Sequence, residues 1–380
     1  MSITVGVVKE TFPGERRVAM APRVMDVLAK VGAQFIVERG AGTDAGFPDK
    51  EYEAKGARMA ATADEVRQTA EVLLQVRVGD SGALRNGQIV IGMCDPLSEP
   101  QFIAEIAKRG ITLFSMELIP RITRAQSMDV LSSMATVAGY KAVLLAAVEQ
   151  PRMFPLMMTA AGTIPAARVL VLGAGVAGLQ AISTARRLGA IVSGYDVRSA
   201  VKEQIESLGA KFVVIDVGES GEGAGGYAKQ MSAEAIQRQR DALGNVMREM
   251  DVVVTTAAVP GRKAPLLITA AMARCMPPGS VIVDLAAERG GNCELTKPGE
   301  TVVDSASGVH ILGPVNLPAS IPYHASQMYA RNISTFLKNM IDKEGAINID
   351  LSDEITKETL VARDGKVENP RVEALLGVKA

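Results

Sequence analysis

The sequence has no tryptophan, only two histidines and only three cysteines, and aromatic residues make up 4% of it. So few rings offer no stacking platform for bases, and a net charge of −1 supplies no basic face, so nucleic acid is excluded as an expected ligand. The cysteines (Cys94, Cys275, Cys293) are odd in number and scattered, and neither C-x-x-C nor H-E-x-x-H occurs. A disulfide framework and a metal site are therefore not expected, and a cytoplasmic setting fits. No signal-peptide pattern precedes the first strand-like run. A membrane span needs about 20 apolar residues. The longest uncharged run, Val169 to Ala185, contains three glycines and reads as a buried strand and helix, so no span is expected.

What is present is 380 residues, 48% hydrophobic and 22% charged, enough for two domains with sizeable cores. The most informative stretch is Arg168 to Asp196. Val169-Leu170-Val171-Leu172 is an apolar run suited to a strand buried on both faces of a parallel sheet. Gly173, Gly175 and Gly178 follow in G-x-G-x-x-G spacing. A helical period starts there, with Val176, Leu179 and Ile182 on one face and Gly189 placed to close it. A second strand begins at Ala190-Ile191-Val192, and Asp196 lies just past its end.

Each part serves dinucleotide binding. Gly173 permits a tight turn, Gly175 lets backbone approach a pyrophosphate, and Gly178 lets helix pack on strand. The helix N-terminus near Val176 presents N–H groups and a favourable dipole to the phosphates. Asp196 can accept hydrogen bonds from both ribose hydroxyls. A glycine-rich turn without a ligand is the plainer reading, but strand, glycines, helix, second strand and acid agree in order and distance. A carboxylate here repels a 2′-phosphate, at a cost of about 4 kcal/mol for unit charges about 4 Å apart near a surface. NAD(H) is expected over NADP(H), with Arg198 the one neighbouring cation able to soften that preference.

Residues 1 to about 120 alternate strand and helix. Ile3–Val8, Phe35–Val37, Val72–Val76, Ile89–Ile91 and Ile111–Phe114 read as strands. Pro22 opens a helix that Gly32 ends, and Thr62/Glu65 and Ser98/Gln101 read as capping boxes. This pattern predicts a first doubly wound parallel sheet without a glycine fingerprint. The polar segment Glu117 to Asp129 falls after the last of these strands, where open α/β sheets place ligand sites; a solvated loop is the plainer alternative. A long helix follows, from Val130 to about Val148.

The fingerprint domain continues with a helix at Lys202–Leu208 and strands at Phe212–Ile215, Asp251–Ala258, Val281–Asp284 and Val309–Leu312. Ala257 and Ala258 are small enough for a flat ring to lie against. His310 reads as a satisfied core residue and His324 as a helix-terminus residue. Gly218 to Gly226 reads as a mobile glycine-rich loop. A second long helix runs from Tyr323 to about Ile341, and Asp364-Gly365 reads as a hairpin turn. The fold class is α/β, with two doubly wound, Rossmann-like parallel-sheet domains joined by long helices. The domains are expected at 1–133 with 320–380, and at 134–319.

Several further stretches carry a family resemblance: Pro13-Gly14-Glu15-Arg16-Arg17-Val18-Ala19, Pro120-Arg121-Ile122-Thr123-Arg124-Ala125-Gln126-Ser127-Met128-Asp129, Leu156 to Thr163, Ala224 to Lys229, and Gly290-Gly291-Asn292-Cys293. With them the chain resembles the NAD(H)-binding component, domain I, of proton-translocating nicotinamide nucleotide transhydrogenases. Most of these stretches are shared with the related alanine dehydrogenases; the Arg-Ala-Gln-Ser-Met-Asp loop is specific to transhydrogenases.

The resemblance implies that Arg121, Ile122, Thr123, Gln126 and Asp129 hold the nicotinamide and its ribose, with Ser132 nearby. Of these, Arg121, Gln126 and Asp129 would stand closest to the chemistry. It implies that Asp196, Val197 and Arg198 lie at the adenosine ribose, that Gly226 and Tyr227 belong to a closing loop, and that Ala257 and Ala258 lie along the cofactor. It also implies direct hydride transfer to NADP(H) on a partner, domain III, coupled to proton movement through a membrane partner, domain II. A homodimer held peripherally on the inner face of the cell membrane through those partners belongs to the same expectation.

Two rivals stand beside it. An alanine dehydrogenase needs a proton acceptor and a carbonyl-polarising group. By that family's pattern a lysine follows the fourth strand and a histidine the fifth, but here those regions read Leu74-Gln75-Val76-Arg77 and Cys94-Asp95, and only Arg17 matches a substrate-carboxylate arginine. A non-catalytic NAD(H)-binding module would not need the polar loop around Gln126.

Overall fold

The computed structural model describes residues 3–79, 84–216, 218, 232–258, 261 and 263–377. The chain divides into two compact units, residues 1–134 with 318–380, and residues 135–317. The first unit begins with strands β1 (Thr4–Val7), β2 (Gln34–Glu38), β3 (Arg58–Ala60), β4 (Val72–Arg77), β5 (Ile89–Met93) and β6 (Thr112–Ser115). The second supplies β7 (Met157–Thr159), β8 (Gly162–Ile164), β9 (Arg168–Leu172), β10 (Ile191–Tyr195), β11 (Lys211–Phe212), β12 (Val252–Thr255), β13 (Val281–Asp284), β14 (Thr301–Val303) and β15 (His310–Leu312). The chain then returns to the first unit with β16 (Leu360–Arg363) and β17 (Lys366–Val367).

The first sheet runs β17-β16-β6-β5-β4-β1-β2-β3, parallel from β6 to β3, with β16 and β17 added antiparallel at one edge. The second runs β11-β10-β9-β12-β13-β15-β14, parallel except for β14. Setting the antiparallel edges aside, both orders are the doubly wound 3-2-1-4-5-6, whose direction reverses between the first and fourth strands. That reversal lies between β1 and β4 in one unit and between β9 and β12 in the other.

Strand alternation builds the second core on both faces. Val169 and Val171 of β9 pack with Ala181, Ile182 and Ala185 of the helix Val176–Arg187. Leu170 and Leu172 point to the other face, with Leu243 and Met247 of the helix Ala233–Met247. The connecting helix Val130–Glu149 is long and apolar enough to cross a membrane by length and composition alone, a feature hidden from a scan for charge-free runs by Lys141. Its Ala142, Val143 and Ala146 are buried in the second core, as expected of a core helix. At Gly139 a Cβ would come within 2.1 Å of the Ala177 carbonyl oxygen, so glycine there permits close contact with the first turn of the β9–β10 helix.

Local expectations are met unevenly. Asp364 (φ +49°) and Gly365 (φ +81°) make the turn between β16 and β17, at the sheet edge. The Thr62 hydroxyl accepts the Glu65 N–H, while the Glu65 carboxylate reaches Ala61 N rather than Thr62. Ser98 caps nothing: the helix starts at Pro100, whose missing N–H suits a first position, and the Asp95 carbonyl takes the N–H groups of Ser98 and Glu99. The helix expected from Pro22 is a 3₁₀ turn, Pro22–Val24, followed by one α turn, Asp26–Ala29. The strand expected over 212–215 stops at Phe212.

Candidate dinucleotide-binding site

Within the second unit the three glycines have three different surroundings. Gly173 sits at φ +96°, and a Cβ on it would meet Thr256 Oγ1 at 2.7 Å. A Cβ on Gly178 would lie 1.8 Å from the Gly173 carbonyl oxygen, which only glycine avoids. A Cβ on Gly175 would meet nothing within 4 Å. The turn is therefore closed on its inner side and open where a phosphate would approach. Gly175 is the N-cap of the helix Val176–Arg187, and no side chain caps that end. This leaves its first N–H groups and dipole directed at the opening. Thr256 Oγ1 donates to the Gly173 carbonyl at 3.0 Å, tying the end of β12 to the turn.

Asp196 lies past β10. Its Oδ2 accepts Ala174 N at 2.8 Å, which fixes the acid against the glycine turn. Both of its oxygens also accept from the Arg198 guanidinium, at 2.9 and 2.8 Å, and Oδ1 accepts Arg198 N. Burial pushes the Asp196 carboxyl up, but the Arg198 guanidinium and the two backbone N–H groups outweigh it and hold it below the usual carboxylate range. The cation that sequence reasoning noted in principle is thus directly engaged, and ribose hydroxyls would share the carboxylate with it. Val197 is half-buried beside it, Val176 is exposed at the helix start, and Ala257 and Ala258 lie just past β12. Gly226 and Tyr227 lie outside the described residues.

His310 is half-buried rather than a core residue, with Nδ1 2.6 Å from Glu149 Oε1.

Sequence reasoning missed a buried network behind Ala257. Asp284, at the end of β13, accepts hydrogen bonds from Thr255 Oγ1, Ala286 N, Asn292 N, Cys293 N and Thr296 Oγ1. Asn292, fully buried, bonds both the N–H and the C=O of Ala257. The available signal was a lone acid closing an apolar strand, followed by Gly290 and Gly291, both at positive φ.

Within the first unit, the segment expected as a polar loop holds a 3₁₀ helix, Thr123–Met128. Arg121, Thr123 and Gln126 are exposed, and Ile122 is half-buried. Asp129 turns its carboxylate onto its own helix, bonding Ser132 N at 2.9 Å and Ser132 Oγ at 2.6 Å. The loop is anchored from the helix Pro322–Asn339: Asn332 donates to the Ser127 carbonyl, and Arg124 pairs with Asp353 and Asn339.

The reversal point of the first sheet is filled by its own side chains. Glu10 accepts Val76 N at 2.6 Å and Arg77 N at 3.1 Å, and Tyr329 donates to the Gln75 carbonyl. Burial pushes the Glu10 carboxyl up to about 7, against the pull of those N–H groups. Arg17 is 2% exposed, and its guanidinium is bidentate on Glu15, at 2.7 and 2.6 Å. Asp95, at φ +44°, donates its N–H to Glu117, whose carboxyl burial also raises.

An open glycine turn at the reversal point of a 3-2-1-4-5-6 sheet, with an acid after the second strand, defines a Rossmann-type dinucleotide-binding protein. Family models for the alanine dehydrogenase/PNT N-terminal domain match residues 6–138, and those for the alanine dehydrogenase/PNT C-terminal domain match residues 142–370. The chain belongs to this alanine dehydrogenase/PNT family. It is 45% identical over 377 residues to an NAD(P) transhydrogenase alpha subunit of Rhodospirillum rubrum, covering 96% of this chain and 98% of that one. The solved structure of a transhydrogenase from Sinorhizobium meliloti superposes with a TM-score of 0.87 at 46% identity, covering 96% of this chain and 99% of the other. Alanine dehydrogenase of Mycobacterium tuberculosis is more distant, at 29% identity over 328 residues, covering 84% and 82%.

Proposed function

We propose that this chain is the NAD(H)-binding component of a Re/Si-specific, proton-translocating transhydrogenase. Bound NADH supplies a hydride that passes with both electrons to NADP+ on a partner, domain III, coupled to proton translocation by membrane domain II. The chain's own residues position and shield. The Gly173–Gly178 turn takes the pyrophosphate on its backbone N–H groups, and Asp196, with Val197 and Arg198, takes the adenosine ribose. Ala257 and Ala258 give the ring a flat approach. Arg121, Gln126 and Asp129, with Ile122, Thr123 and Ser132, fix the nicotinamide and its ribose, and Gly226 and Tyr227 belong to a segment that closes over the nucleotide. No side chain is asked to move a proton, which accords with a chain of two histidines.

The observation that carries this reading is the open Gly175 flank on an uncapped helix N-terminus. The 45% identity to a transhydrogenase subunit over nearly the whole chain supports its finer aspects. An alanine dehydrogenase activity has no comparable support: Arg17 is sealed against Glu15, and Gln75 and Asp95 stand at the positions where that chemistry would need its lysine and histidine. In the assembled enzyme the chain would be cytoplasmic, held at the inner face of the cell membrane through its partners and paired with a second copy of itself. In favour of pairing, β7 and β8 form a hairpin exposed along its whole length, with Met158 82% exposed.

The test is reconstitution with a purified domain III carrying NADPH, followed by addition of an NAD+ analogue whose reduction absorbs at a distinct wavelength. Hydride exchange requiring both proteins is expected. Tight NADH binding with no exchange would reduce the chain to a nucleotide-binding module.

A further inference from the structure

Ala257 follows a strand end, where a backbone N–H and C=O would ordinarily be left to solvent or to the ligand. Here one buried side chain takes both. Asn292 Oδ1 accepts Ala257 N at 3.0 Å, and Nδ2 donates to the Ala257 carbonyl at 2.8 Å and to the Pro265 carbonyl at 2.8 Å. An asparagine amide so placed acts as one more rung of a ladder, extending the order of β12 past Thr255. Asn292 is itself held from behind: its N–H donates to Asp284 Oδ2 at 2.7 Å, and its carbonyl accepts from Leu267 N and Ile268 N. Asp284 is anchored in turn by Thr255 and Thr296, and a Cβ on Gly291 would press to 2.9 Å from its Oδ2. Residues 252–255 and 281–284 are in register as neighbouring strands, so the network joins two strand ends at the carboxyl edge of the sheet. These five donors to Asp284 include no cation, being backbone N–H or threonine hydroxyl groups. Such an arrangement fixes geometry, because losing one member leaves buried groups unpaired.

We infer that Asn292, held in place by Asp284, is a positioning residue for the nicotinamide end of the bound dinucleotide, acting through the backbone of Ala257. The inference rests on the dinucleotide site proposed above. It separates the two ends of the ligand: the glycine turn and Asp196 serve the ADP half, and Asn292 serves the other half through Ala257 and Ala258.

The experiment compares two ligands on the full chain by titration calorimetry, NADH and ADP-ribose, the second lacking the nicotinamide. Asn292→Ala should weaken NADH about tenfold and leave ADP-ribose within about twofold. Asn292→Asp keeps the volume and the acceptor but loses the donor to Ala257 and Pro265. It should weaken NADH selectively as well, and it covers the case in which the alanine variant does not fold. Equal losses on both ligands, or no loss on either, would make Asn292 a structural residue only and overturn the inference. Failure of the unmodified protein to bind either ligand would instead sink the dinucleotide site itself, and this inference with it.

Discussion

Gly175 and Gly178 are three residues apart in one turn and do different work. A methyl group on Gly178 has to displace the Gly173 carbonyl, 1.8 Å from its ideal position, whereas a methyl group on Gly175 projects into open space. Gly178→Ala should therefore destabilise the protein by about 1–3 kcal/mol in urea unfolding, as overpacked sites do. Gly175→Ala should unfold at nearly the wild-type midpoint yet bind NADH at least about tenfold more weakly, because its Cβ occupies the pyrophosphate approach. Equal stability losses in the two variants would contradict this division. Spacing alone located these glycines, and Asp196 with them, because each constraint is local to one strand–turn–helix. The Asp284–Asn292 network was not legible, since its partners come from β12, from β13 and from the segments around Pro265 and Thr296, which only folding assembles. The engagement of Asp196 by Arg198 was foreseeable as a possibility from their separation of two residues, but the bidentate geometry was not.

Among the elements, strands with apolar runs were read almost to the residue, because burial on both faces leaves a continuous hydrophobic signature. Elements without a buried face were invisible. The hairpin β7–β8 has every residue exposed, and Leu156, Met157, Met158 and Ile164 lie along it and just before it. A two-stranded hairpin is marginal by itself in water, and this one presents methionine and isoleucine to solvent, which suits an interface between two copies. Met158→Glu should raise the dissociation constant for self-association about tenfold or more while leaving NADH binding unchanged. Sedimentation velocity over a concentration series reads the first and fluorescence titration the second. Unchanged association would remove the hairpin from the interface. The misread cap at Ser98 has a comparable cause: Pro100 and the left-handed Asp95 define that helix start, and neither belongs to a capping-box pattern.

At the scale of the molecule, the two units share a strand order and differ at the place where the order reverses. The second opens there onto a glycine turn; the first closes it with Glu10 against the end of β4. The closure has a pH signature. Burial raises the Glu10 carboxyl from an ordinary value of 4.5 to about 7 in the folded protein. A raised acid favours the folded state fully below its unfolded value, and that contribution is lost as pH climbs through the folded one, by about 3 kcal/mol for a shift of this size. Glu10→Gln removes the titration, so its stability relative to wild type should rise between about pH 5 and about pH 8 in urea unfolding at fixed salt. A difference independent of pH would show that Glu10 does not ionise in place.

The same contrast bears on stoichiometry. A chain with two nucleotide-type sheets and one open crevice can load a single coenzyme. A redox exchange between two coenzymes then needs a second polypeptide to bring the other, so equilibrium dialysis should count one NADH per chain.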